Sequence, residues 1–131
     1  LNMALHGGRK EMTLSAVKDD VSIEHIMPKV IFNSEWEVYL KNRKGFQNKT
    51  ELADYHKNNL WKIGNLTILN RSKNFKAHNI SFMDKFNQVY KTDDAKIVNH
   101  LSNWHEWNDE TIAQRQKNLA GIAVNIWKLD D

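Results

Sequence analysis

Four residues of this chain have types and spacing that could do hydrolytic chemistry: Glu24 and His25 side by side, Asn65 about forty residues on, and Asn74 nine residues later. A carboxylate is a hard oxygen ligand for a divalent cation, and an asparagine carbonyl is a second one. An imidazole with an ordinary pKa near about 6.5 can take a proton from water at neutral pH. Together these groups meet the needs of phosphodiester hydrolysis, which are an activated water, neutralised phosphate charge and a stabilised leaving oxygen. Mg²⁺ suits such a set because it keeps several waters and accepts a substrate phosphate as a further ligand, with Mn²⁺ as the alternative. Taken singly, each residue also has a plain structural reading: a Glu-His pair is common, Asn65 could form a turn, and Asn74 could be an ordinary polar residue early in a helix. The register among the four carries the reading.

The elements that must position them follow from local patterns. Val21 to Met27 alternates β-branched and polar residues before Pro28, which predicts a short strand ending near His25 to Met27. Adjacent strand residues face opposite sides, so Glu24 could grip a cation while His25 faces a water. Ser34-Glu35-Trp36-Glu37 has capping-box spacing and predicts a helix to about Arg43, and Thr50 is the expected cap of a second helix through Tyr55 and His56. Ile63-Gly64-Asn65 leads into a second strand at Leu66 to Leu69, because branched apolar residues follow a glycine that permits close approach. Asn70 and Arg71 then turn the chain, and Ser72 is the expected cap of a short helix carrying Asn74 and Lys76. Ser81 to Asp84 forms another capping box, opening a helix to about Lys91. Asp94 to Trp104 and Asp109 to Leu129 also read as helices. The last has acids in its first turn and a stripe of Ile112, Leu119, Ile122, Ala123, Ile126 and Trp127.

With a single proline, the chain is expected to be mostly helical. At 131 residues it suits one domain with a real core, supplied by 40% apolar residues including five Trp and five Phe. A mean hydropathy of -0.69 argues against a membrane protein, and the absence of cysteine excludes both disulfides and Cys-based zinc knuckles. The first residues lack the pattern of a secretory signal, and the abrupt start suggests a piece of a longer protein. Charge is unevenly spread: eleven lysines and arginines stand against three acids from Lys41 to Lys91, and eight against thirteen elsewhere. A basic middle fits a face that meets a polyanion, although a solvated lysine-rich surface would give the same count. Arg71, Lys73, Lys76 and Lys85 are the candidates to hold phosphates. His56, His78, His100 and His105 lack zinc-like spacing and read as structural.

Glu24-His25-Ile26-Met27-Pro28, Gly64-Asn65-Leu66-Thr67-Ile68-Leu69 and Asn74 together resemble the HNH, or His-Me finger, nucleases. More narrowly, with Asn79, Phe82, Lys85 and the tail Trp107-Asn108-Asp109-Glu110-Thr111-Ile112, Arg115, Leu119 and Trp127, the chain resembles the C-terminal nuclease domain of GmrSD-type restriction endonucleases. The resemblance implies an α+β, mostly helical fold: a ββα-metal core of a two-stranded antiparallel sheet and short helix, surrounded by further helices. The core would span residues 21–91 with a helical insertion at 29–62, a connecting segment at 1–20 and C-terminal helices at 92–131. It implies His25 as general base, Glu24 and Asn74 as metal ligands, and Asn65 as the residue that holds the loop between strands and helps orient His25. It also implies a cytoplasmic DNA endonuclease acting in prokaryotic defence against phage, joined to an upstream nucleotide-hydrolysing domain that senses modified DNA. Two features depart from the broad pattern: Glu24 stands where Asp is commoner, and the interval between His25 and Asn65 is long. A catalytically silent nucleic-acid-binding or protein-interaction module and an RNase remain alternatives, and oligomeric state is open.

Overall fold

The computed structural model describes residues 21–71, 73–74, 78–92 and 100–130. Strand β1 (Val21–His25) is followed by helices α1 (Glu35–Lys44) and α2 (Lys49–Leu60). A 3-10 turn at Ile63–Asn65 leads into β2 (Leu66–Asn70). Helix α3 (Phe82–Gln88), 3-10 turns at Tyr90–Thr92 and His100–Asn103, and the long helix α4 (Asp109–Asp130) follow among the described residues. The fold is mostly helical α+β. Its two strands pair antiparallel, with Glu24 opposite Thr67 and His25 opposite Leu66.

Both strands lie where the sequence pattern predicts, and the insertion between them forms α1 and α2. Capping differs in detail. Ser34 caps α1 by accepting from the Trp36 amide, but the closing carboxylate of Glu37 accepts from Asn33, one residue upstream of the cap, because Asn33 turns through φ 63. Asn48 rather than Thr50 caps α2, accepting from the Glu51 amide, so the helix starts earlier. Ser81 caps α3 as its box predicts, yet the helix stops at Gln88 and tightens into the turn at Tyr90. Asn108 and Thr111 cap α4 reciprocally: Asn108 Oδ1 accepts from the Glu110 and Thr111 amides, and Thr111 Oγ1 accepts from the Asn108 amide. Of the expected helix from Asp94 to Trp104, His100–Asn103 is a 3-10 turn and residues 93–99 lie outside the described residues, as do Ser72 and Lys76.

One core joins all these elements, with Ile26, Met27, Trp36, Leu40, Leu52, Leu69, Tyr90, Trp107 and Ile112 buried in it. Trp107 stacks on Phe82 at 5.1 Å, and Trp36 donates its indole N–H to the Ile80 carbonyl, so the aromatic residues join α1 and α3 to the start of α4. On the stripe of α4, Ile112 and Leu119 are buried while Ile122 and Ala123 are half-buried.

The approach of α4 to the turn at Ile63–Asn65 is the tightest constraint on this arrangement. A Cβ on Gly64 would stand 2.1 Å from the Ile112 carbonyl oxygen, a backbone atom that cannot swing aside. Gly64 donates its amide to Gln116 Oε1 at 3.1 Å, and Arg115 Nη1 donates to the Gly64 and Leu66 carbonyls at 3.0 and 2.7 Å. Gly64→Ala is therefore expected to destabilise the domain by about 2–3 kcal/mol through overpacking. Gly121→Ala, on the same helix with open space around it, is expected to stabilise by about 0.5–1 kcal/mol. Urea unfolding of both variants checks this, and a neutral Gly64→Ala would show that α4 is free to back away.

Candidate active site

Glu24 and His25 both line a cavity of about 370 Å³, together with Lys29, Asn74, His78 and Asn79. They end β1 just before the chain turns at Pro28, and both line the one concavity. His78 sits in the left-handed region at φ 31 and lines the same wall, which its sequence spacing does not signal.

Glu24 is anchored from beneath. Its Oε2 accepts from Lys85 Nζ at 3.1 Å and from the Tyr90 hydroxyl at 2.7 Å, and all three side chains are buried. Lys85 Nζ also donates to the carbonyls of His25 and Ile26, each at 3.0 Å. Burial pushes the Glu24 carboxyl up, while attraction to Lys85 and hydrogen bonds from Tyr90, Lys85 and the His25 amide pull it down. Burial likewise pushes the Lys85 ammonium down, against the pull of Glu24. The geometry favours the ionised pair: three acceptors surround Nζ, and a neutral amine has too few protons to satisfy them. The Tyr90 hydroxyl is held well above its ordinary pKa, first by burial and then by the adjoining carboxylate, and stays a donor. Both side-chain bonds fall on Oε2.

His25 is 7% exposed, and its ring meets Trp61 edge to face with centroids 4.4 Å apart. Burial, then the positive charges of Lys29 and Lys85 and the neighbouring His56, lower its pKa to about 4, so the imidazole is neutral at pH 7. Its Nε2 is buried without a hydrogen-bond partner among the described residues, as are polar atoms of Asn59, Thr67, His100 and Arg115. Within that group only His25 lines the cavity.

The two asparagines do different work. Asn65 is fully buried: its Oδ1 accepts from the Met27 amide at 2.7 Å and from the Trp107 indole at 2.9 Å, while Nδ2 donates to the carbonyls of Met27 and Leu60. It pairs with Met27 as a peptide group would, holding the chain that leaves His25. No hydrogen bond between Asn65 and His25 appears among the described residues, so Asn65 positions the site through the loop. Asn74, in the helical segment after β2, donates Nδ2 to Ser22 Oγ at 2.6 Å and to the Ile23 carbonyl at 2.9 Å. A carbonyl only accepts, so the amide orientation is determined and Oδ1 is the atom available to a cation.

A buried carboxylate, a carboxamide oxygen and room for retained waters fit a hard divalent ion. No group of three or more His, Cys, Asp or Glu residues that could hold a metal occurs among the described residues.

The basic residues separate. Arg71 is exposed and Lys73 half-buried beside Asn74, and Lys76 lies outside the described residues. Lys85 corrects the expectation of a phosphate contact, because it is 0% exposed and its ammonium is spent on Glu24 and two carbonyls. Tyr90 and Trp61 went unsignalled in sequence, since an aromatic residue near an apolar run reads simply as core.

The family model for GmrSD restriction endonucleases, C-terminal domain, matches residues 3–122. The chain belongs to that family. Neither a curated protein nor a solved structure matches it significantly. As a GmrSD C-terminal domain the chain is part of a restriction endonuclease, whose substrate is DNA, and the cavity around Glu24 and His25 is its candidate active site. Among the described residues no helix is long and apolar enough to cross a membrane.

The depressed pKa of His25 has a measurable consequence for this GmrSD domain. An unfolded chain protonates histidine near pH 6.5, whereas the folded domain resists until about pH 4. The contribution of His25 to stability is complete above pH 6.5 and is lost as pH falls toward 4. In chelator, urea midpoints of the parent should fall further across that window than those of His25→Gln. Trp61→Ala should move the imidazole titration, followed by NMR, back toward 6.5; a folded parent already titrating there would refute the desolvated environment.

Proposed function

We propose that the chain is a metal-dependent DNA endonuclease domain of the HNH, or His-Me finger, type. The observation that carries this is the convergence of Glu24, His25 and Asn74 on one cavity beside an antiparallel strand pair and the helical segment that follows it. Neutral His25 takes a proton from water as it attacks phosphorus. Glu24 and Asn74 Oδ1 would hold a cation, Mg²⁺ or Mn²⁺, which would supply charge neutralisation at the phosphate and the leaving 3′ oxygen. Asn65 and Lys85 keep the His25 backbone in place while this happens. The bond from phosphorus to the 3′ oxygen breaks, that oxygen takes a proton from solvent water, and the products carry 5′-phosphate and 3′-hydroxyl ends.

Arg71, Lys73 and Lys76 flank Asn74 in sequence and are proposed to hold the DNA backbone, a contact that positions without reading sequence. Selectivity then resides in an upstream nucleotide-hydrolysing domain that senses modified DNA, in the cytoplasm of a prokaryotic cell defending itself against phage. Family membership supports the restriction role.

The test is cleavage of supercoiled plasmid by the purified domain in Mg²⁺, in Mn²⁺ and in chelator. Conversion to open-circular or linear DNA is expected only with metal, reduced by about 10²-fold or more in His25→Ala and strongly reduced in Asn74→Ala. Absence of cleavage with either metal, with His25→Ala binding DNA as the parent does, would turn the reading to a binding module. Faster cleavage of RNA than of DNA would move it to an RNase.

A further inference from the structure

We propose that the Glu24–Lys85 pair makes the empty site electrically unattractive to a divalent cation, so that cation and nucleic-acid phosphate are recruited together, and that Lys85 is the positioning residue that enforces this coupling. The inference rests on the nuclease reading above and concerns the order in which its site is filled.

Glu24 is the carboxylate that lines the cavity among the described residues. Its charge is matched by Lys85 Nζ at 3.1 Å, in surroundings where neither group is screened by water. Asn74 offers a neutral carboxamide oxygen. Lys29 lines the same cavity, its ammonium 5.5 Å from the Trp61 ring centre, and adds positive charge at the rim. A dication entering the cavity alone therefore meets a carboxylate already matched by Lys85, in a cavity that Lys29 also lines. A phosphodiester supplies the missing negative charge and further hard oxygens for the cation. Lys29 then faces an anion rather than only an aromatic ring.

Coupling of this kind is reciprocal: each ligand must tighten the other by the same factor. It also leaves the domain without its cation when no nucleic acid is present. Lys85 cannot take this role by touching phosphate, because it is enclosed by Glu24 and the His25 and Ile26 carbonyls.

The experiment uses His25→Ala, expected to hold DNA while cutting it about 10²-fold more slowly or less. Mn²⁺ binding to the DNA-free domain, followed by loss of the free-ion EPR signal, is expected to be about millimolar or weaker, as for sites with few charged ligands. Affinity for a short duplex, by fluorescence anisotropy at constant ionic strength, should rise about tenfold or more on replacing chelator with Mg²⁺. Adding Asn74→Ala should remove that rise. In the same background Lys85→Gln, checked for folding by circular dichroism, should bind Mn²⁺ about tenfold tighter without DNA. If it does not fold, the duplex titrations decide.

Micromolar Mn²⁺ binding by the DNA-free domain, or duplex affinity indifferent to Mg²⁺, overturns the proposal. If the parent still shows metal-dependent plasmid cleavage in that case, the coupling alone falls and the nuclease reading stands. If the parent cuts nothing, both fall.

Discussion

The buried ammonium of Lys85 is the interaction around which the candidate site is organised. From helix α3 it reaches the end of β1 and bonds Glu24 and the backbone of His25 and Ile26 at once. A lysine is taken out of water only where every proton finds an oxygen, and here the oxygens belong to the site itself. Tyr90, from the turn after α3, closes the carboxylate from the other side. The position of Glu24 thus depends on residues about sixty positions away in sequence, and so does the carbonyl geometry that presents His25.

A second framework holds the other strand. Asn65 fills its hydrogen-bonding capacity with Met27, Leu60 and Trp107, and Arg115 grips the carbonyls on either side of it. Gly64 allows α4 to come close enough for that grip. Salt links from Arg43 and Lys44 to Glu106, Asp109 and Glu110 add a surface tie between the end of α1 and the start of α4, each worth little in water. The helices outside the sheet therefore do structural work directly on the residues next to the cavity.

Between these two frameworks His25 is kept neutral first by burial and then by nearby positive charge, with Trp61 packed edge to face on its ring. On the coupling proposed above, the same positive charge would weigh against a bare cation.

Much of this was legible in the sequence because its signals are local. Alternation before Pro28, branched residues after Gly64 and the box at Ser81 depend on neighbours a few positions apart, and the strands and the start of α3 lie where those patterns put them. The cap of α2 was misread because Thr50 and Asn48 are both competent caps two residues apart, and local chemistry does not choose between them. The register of Glu24-His25, Asn65 and Asn74 pointed to the family, and Glu24, His25 and Asn74 do meet in space. By itself the sequence determined the elements, the set of candidate groups and their family. Only the tertiary structure decided that Lys85 is spent beneath Glu24 rather than offered to phosphate, that the Asn65 side chain bonds Met27, Leu60 and Trp107, and that Trp61 packs edge to face on the imidazole. Those outcomes turn on burial and on contacts between residues far apart in the chain, and a lysine's role is set by the oxygens that surround it after folding.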